Sequence, residues 1–76
     1  MPHVIVKMYP GRSEQQKAKL AEEITKAVMI GANCGEPAVS VSIEEVSQAD
    51  WTEKVYRPDI IDQPERVYKK PGYNPL

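Results

Sequence analysis

Two short runs of period-two alternation stand on either side of one capped, helix-periodic stretch, and that order leaves few folds open. From His3 to Tyr9, Val4, Val6 and Met8 alternate with His3, Ile5, Lys7 and Tyr9. This β-branched pattern reads as a strand, ended by Pro10-Gly11. Ser13 and Gln16 have the spacing of a capping box, so a helix starts there. Leu20, Ala21, Ile24, Ala27, Val28 and Gly31 form an apolar stripe, with Lys19, Glu22, Glu23 and Lys26 mostly on the other face. Met29 and Ile30 lie outside that stripe and read as helix-end packing in preference to an intersubunit contact. Gly31, Asn33 and Gly35 supply stop signals before Pro37. Val39, Val41 and Ile43 then alternate with Ser40, Ser42 and Glu44, a second strand with its apolar side toward the helix. A crossover through a helix makes the two strands parallel and the connection right-handed. The expected class is α/β, a βαβ protomer with one main helix.

Such a unit cannot close its own core. Two strands and one helix leave a sheet face and an edge uncovered, and Ile5 and Tyr9 make that second face partly apolar. A chain of 76 residues buries only about 60% of the surface its unfolded form exposes, so it usually leans on disulfides, a metal or a partner subunit. Its one cysteine, Cys34, cannot form an internal disulfide, and Cys34 with the single His3 cannot furnish a four-ligand structural zinc site. Oligomerisation remains, with a homodimer expected ahead of a hexamer. After Val46 the pattern loosens. Asp50 is positioned to cap a short helix holding Trp51, Val55 and Tyr56, Pro58 to interrupt it, and Asp62-Gln63-Pro64 to start a further turn. The closing KKPGYNPL reads as an irregular tail or docking arm. We expect one domain over residues 1–76, with the βαβ core at about 2–46 and the short helices and arm at about 50–76.

With 10 Lys+Arg against 11 Asp+Glu and a pI near 5.8, the chain lacks the basic footprint of a nucleic-acid binder. No apolar run approaches the roughly 20 residues of a membrane span, and MPHVIVKMYPGR has neither the charged start nor the apolar core of a signal peptide. The expected location is cytoplasmic.

The chemistry begins at the amino terminus. Removal of Met1 would leave Pro2 as a free secondary amine at the start of the first strand. An α-amine titrates near 7.7–8.0 in reference peptides, the prolyl amine being intrinsically more basic, and an apolar pocket or nearby cation lowers it. A base of that kind can remove and return a proton beside a carbonyl. Taken alone, a Met-Pro start reads first as a terminal residue tolerated at a strand start.

Pro2, the strand HVIVKMY, the run GRSEQQK at Gly11–Lys17, the valine-rich VSVSIEEV and Trp51 together resemble the 4-oxalocrotonate tautomerase family over roughly the first 51 residues. The closing KKPGY resembles, within it, the small bacterial tautomerases of the PptA type. The resemblance implies the same βαβ fold, assembled into dimers or hexamers, and a tautomerase: an isomerase moving a proton between enol and keto forms of a small 2-oxo acid. It implies that Pro2 is the catalytic base. It implies that Arg12 binds the substrate carboxylate and polarises developing charge, for which a guanidinium is suited. By itself Arg12 reads as a solvated loop charge. Trp51 matches an aromatic active-site wall that would help lower the amine pKa by excluding water, its alternative being ordinary packing in a core or interface.

One departure bears on the substrate. Typical members carry a second arginine on the second strand, where this chain has Ser40. A hydroxyl offers a hydrogen bond without charge, so a dicarboxylate would be held more weakly. The PptA type acts on enols of monocarboxylates such as phenylpyruvate, which one cation suits better. Ser40 reads either as a substrate contact or as a plain strand residue. His3 reads as structural or exposed, Cys34 as an unreactive loop thiol, and Lys69 and Lys70 as a solvated pair. Which of Tyr9, Tyr56, Tyr68 and Tyr73 faces a pocket stays open. No metal or organic cofactor is expected, since terminus and side chains supply the acid–base and electrostatic parts. Two other functions stay open: dehalogenation or hydration of a small unsaturated acid, with Glu44 or Glu45 activating water, and a non-catalytic ligand-binding oligomer of the same fold.

Overall fold

The computed structural model describes all residues, 1–76, as two compact units, Met1–Glu45 and Val46–Leu76. The first unit holds strand β1 (His3–Met8), helix α1 (Glu14–Gly31), a 3-10 turn (Glu36–Ala38) and strand β2 (Ser40–Glu45). The strands pair in parallel, from His3 opposite Ser40 to Met8 opposite Glu45. This is the expected βαβ order.

Alternation divides the sheet into two faces. Paired residues in a parallel ladder point the same way, so Val4, Val6 and Met8 share a face with Val41, Ile43 and Glu45, and His3, Ile5 and Lys7 share the other with Ser40, Ser42 and Glu44. Helix α1 lies against β2, on the first face: Lys17 reaches Glu45, Nζ to Oε1 3.5 Å, while also pairing with Glu14 at 2.8 Å. These carboxylates raise the lysine's pKa above its ordinary value, the Glu14 hydrogen bond contributing most.

The capping box at the start of α1 is complete. Ser13 Oγ accepts from the Gln16 amide at 3.1 Å, and the Ser13 amide donates to Gln16 Oε1 at 2.8 Å. Two of the helix's unpaired first-turn amides are thereby satisfied or offset. At the other end Asn33 takes φ 53°, and the Cys34 amide donates back to the Met29 carbonyl at 3.2 Å, a left-handed cap made by asparagine where glycine is commoner.

The buried stripe of α1 is rotated from the sequence expectation. Leu20, Ile24 and Val28 form one row and Ala21, Thr25 and Met29 a second, all half-buried, while Ala27 and Gly31 are exposed. Two adjacent rows of i, i+4 spacing make the broader face that a sheet can cover. Thr25 is accommodated because its hydroxyl donates to the Ala21 carbonyl at 2.8 Å. Ile30 is 84% exposed, so the expected helix-end packing fails for it: it lies a residue past both rows.

The second unit corrects two expectations. Ser47, not Asp50, caps the helix, its hydroxyl accepting from the Asp50 amide at 3.2 Å. Pro58 does not interrupt it. Helix α2 (Gln48–Trp51) continues as a π-helix over Thr52–Ile61 with Pro58 inside. The wider i→i+5 turn moves away the carbonyl that a proline ring meets in an α-helix, and the Asp62 amide closes the end on the Arg57 carbonyl at 2.9 Å. Val55 and Tyr56, each 5% exposed, are the buried hydrophobic residues of the chain. No helix is long and apolar enough to cross a membrane.

Candidate active site

Pro2 enters the sheet through its backbone. The Ser40 amide donates to the Pro2 carbonyl at 3.2 Å, extending the ladder one step ahead of His3. What delivers Ser40 there is the 3-10 turn: Pro37 sits at its start, and the Val39 amide closes it on the Glu36 carbonyl at 3.1 Å. Pro2 is half-buried, Met1 is fully exposed, and with Met1 in place the Pro2 nitrogen lies in an amide. One rung on, His3 Nδ1 and Ser40 Oγ are hydrogen-bonded at 2.6 Å. Pro2, His3 and Ser40 therefore meet at one end of the sheet.

Arg12 stands at the other. Gly11 adopts φ 124°, a conformation that L side chains rarely take, and turns the chain from the end of β1 into the cap of α1. Arg12 precedes that cap directly and is exposed. The Lys17–Glu45 pair fixes the early turns of α1 beside the end of β2. The length of β1, about 20 Å for its six residues, therefore separates the Pro2 end from the Arg12 end. None of the salt bridges along α1 uses Arg12. Lys17, Lys19 and Lys26 pair instead with glutamates, which raise the pKa values of the lysines, while Lys19 and Lys26 lower that of Glu23.

Trp51 belongs to the second unit, as the last residue of α2. Its indole N–H donates to the Tyr73 hydroxyl at 2.9 Å, and the Tyr73 ring lies 5.6 Å from that of buried Tyr56, tilted by 43°. The closing arm is thus anchored by an aromatic cluster. Residues 22 positions apart form that hydrogen bond, and no local pattern announces such a pair. The His3–Ser40 bond could have been found by sliding the two strands into register, since it pairs the first residue of each.

A groove of about 420 Å³ is lined by Glu22, Thr25, Lys26, Met29 and Glu36, and includes none of Pro2, Arg12, Ser40 or Trp51. No three His, Cys, Asp or Glu side chains cluster as metal ligands would.

Comparison with known proteins bears on the family. A family profile described as "Tautomerase enzyme" matches residues 2–55. A probable tautomerase of Xylella fastidiosa is 43% identical over 76 residues, covering 100% of this chain and 93% of its own. Tautomerase PptA of Escherichia coli O127:H6 is 35% identical over 75 residues, covering 97% and 99%. The crystal structure of YwhB, a homologue of 4-oxalocrotonate tautomerase, superposes with a TM-score of 0.60 at 40% identity, covering 62% of this chain and 77% of that one. A shared βαβ fold, matched from Pro2 onward and at this level of identity over the whole length, establishes that the chain belongs to the tautomerase family of enzymes.

Proposed function

We propose that the chain catalyses enol–keto tautomerisation of a small 2-oxo acid of the phenylpyruvate kind, with the Pro2 amine as general acid and base once Met1 is removed. The observation that carries the reading is the placement of Pro2: half-buried at the mouth of β1, its carbonyl held by the Ser40 amide at 3.2 Å. In the ketonisation direction the amine takes the proton from the enol hydroxyl. The oxygen lone pair forms the C=O bond, and the C=C pair takes a proton at carbon from the prolyl ammonium. Nothing is gained or lost overall.

Arg12 holds the substrate carboxylate in this scheme and stabilises the enolate charge. A side chain cannot cross the roughly 20 Å length of β1 to Pro2, so each site takes its proline from one chain and its arginine from another copy. The single domain of residues 1–76 works as a homo-oligomer, with a dimer preferred. The apolar surface the monomer leaves open supports this: Ile5, on the sheet face away from α1, is 54% exposed and Ile30 84%. Trp51 walls the site, Ser40 contacts the substrate, and the reaction runs in the cytoplasm.

The test is ketonisation of enol-phenylpyruvate followed by ultraviolet absorbance, with intact mass establishing that Met1 is gone. A retained Met1 forfeits the general-base contribution, about 10²–10⁴-fold in rate. Arg12→Ala lowers kcat/KM roughly tenfold or more, the loss of a hydrogen bond between charged groups. A mass-verified, Pro2-terminated sample with no rate above buffer would sink the tautomerase assignment for this substrate class and leave a binding role.

A further inference from the structure

The short contact between His3 and Ser40 gives the only histidine of the chain a task beside Pro2. A serine hydroxyl carries one proton, and a neutral imidazole carries its proton on one ring nitrogen or the other. The 2.6 Å bond between His3 Nδ1 and Ser40 Oγ therefore exists in two polarities. With Nδ1 bare, the hydroxyl donates to it, and Ser40 turns only lone pairs toward a ligand. With Nδ1 protonated, the ring donates, and the hydroxyl proton is free for a carboxylate or enolate oxygen. We propose that His3 is a positioning residue that acts through Ser40: its Nδ1 proton sets Ser40 as a hydrogen-bond donor toward the anionic substrate.

The inference rests on the proposed tautomerase reading and concerns the position where the second arginine of the resembled family is replaced. A charge-free hydroxyl becomes a directed donor, and an imidazolium behind it supplies part of the missing positive charge. The geometry for this is on the same rung of the ladder. His3 faces Ser40 directly, and the Ser40 amide holds the Pro2 carbonyl, so the hydroxyl and the prolyl nitrogen are fixed by one short segment of backbone. Further along this sheet face Lys7 and Glu44 stand opposite each other in the register, and the Pro2 amine lies one residue before His3.

A ligand that accepts from the Ser40 hydroxyl selects the forms of the ring with a proton on Nδ1, the neutral tautomer and the imidazolium alike, so binding shifts the ring toward Nδ1 protonation. The effect falls on KM more than on kcat.

Nitrogen-15 NMR of the ring tests this without catalysis, because one histidine gives one unambiguous pair of signals. In free, Met1-processed protein, Ser40→Ala shifts the Nδ1 resonance; an unchanged resonance overturns the proposal. Adding phenylacetate, an unreactive carboxylate, increases the Nδ1-protonated fraction at pH 8 in the wild type but not in Ser40→Ala. His3→Ala, which cannot bond Ser40, binds phenylacetate roughly tenfold more weakly than the wild type does. A His3→Ala affinity equal to that of the wild type refutes the role of His3 while leaving the Pro2 reading intact. A failure of phenylacetate to bind at all removes the carboxylate site, and the proposal with it. In turnover, His3→Ala and Ser40→Ala each raise KM for enol-phenylpyruvate roughly tenfold with a smaller change in kcat, the two effects not adding because they remove one interaction.

Discussion

Mixing two impaired variants is the sharpest consequence of placing Pro2 and Arg12 at opposite ends of β1. Pro2→Ala removes the secondary amine, and Arg12→Ala removes the carboxylate anchor; each alone leaves every site of its oligomer defective. Unfolded together in equal amounts and refolded, the chains assort at random. A site takes its proline from one chain and its arginine from another, as the roughly 20 Å strand length requires. Half the proline-bearing positions are then intact, and half of those face an intact arginine, so about a quarter of the sites are native in a symmetric assembly with isologous contacts. Ketonisation of enol-phenylpyruvate at saturating substrate should therefore recover to about a quarter of the wild-type rate per chain, far above the mean of the two variants measured separately. A tandem fusion with Arg12→Ala leading, so that its Pro2 amine stays terminal, and Pro2→Ala following forces every dimer to be mixed and should raise this to about half. A mixture no more active than the average of its parts, with exchange verified by mass, would refute the two-chain site and require Pro2 and Arg12 to meet within one protomer.

Two further expectations concern the parts that hold these residues in place. Ser13→Ala breaks the capping box next to Arg12 and should cost about 1 kcal/mol, lowering the melting temperature by about 4–8 °C in a domain of this size, while Ser13→Asp retains the cap and most of the stability; equal melting of Ser13→Ala and wild type at matched protein concentration would show that the cap contributes nothing. Tyr73→Phe keeps the ring against Tyr56 but loses the bond from the Trp51 indole, so the emission of the only tryptophan should shift with little loss of stability, whereas Tyr73→Ala should also forfeit about 0.5–1.5 kcal/mol of ring contact; identical spectra for wild type and Tyr73→Phe would show that the arm does not orient Trp51.

The order of elements was legible because it rests on short-range physics. Alternating Val4-Val6-Met8 and Val41-Ile43 report a pleat, Ser13 with Gln16 reports a cap, and both signals lie within a few residues. The helix face was misjudged by part of a turn for the same reason: stripe counting ranks Ala27 above Thr25, whereas the sheet decides which rows are covered, and a hydroxyl bonded to Ala21 is as acceptable there as a methyl. Pro58 shows the opposite failure. A local rule forbids it inside an α-helix, but a π-helical turn has no carbonyl at the forbidden place.

The sequence by itself determined the βαβ protomer, its parallel pairing and the identity of the residues that resemble a tautomerase site, because periodicity, capping and a terminal proline are written into neighbouring positions. Only the tertiary structure decided which of those residues meet. Strand register put His3 on Ser40 and Ser40 on Pro2, the turn at Gly11 left Arg12 a strand's length away, and a contact across 22 residues tied the arm to Trp51. Distances between residues far apart in the chain depend on how whole elements pack, and that free energy belongs to no single segment of the sequence.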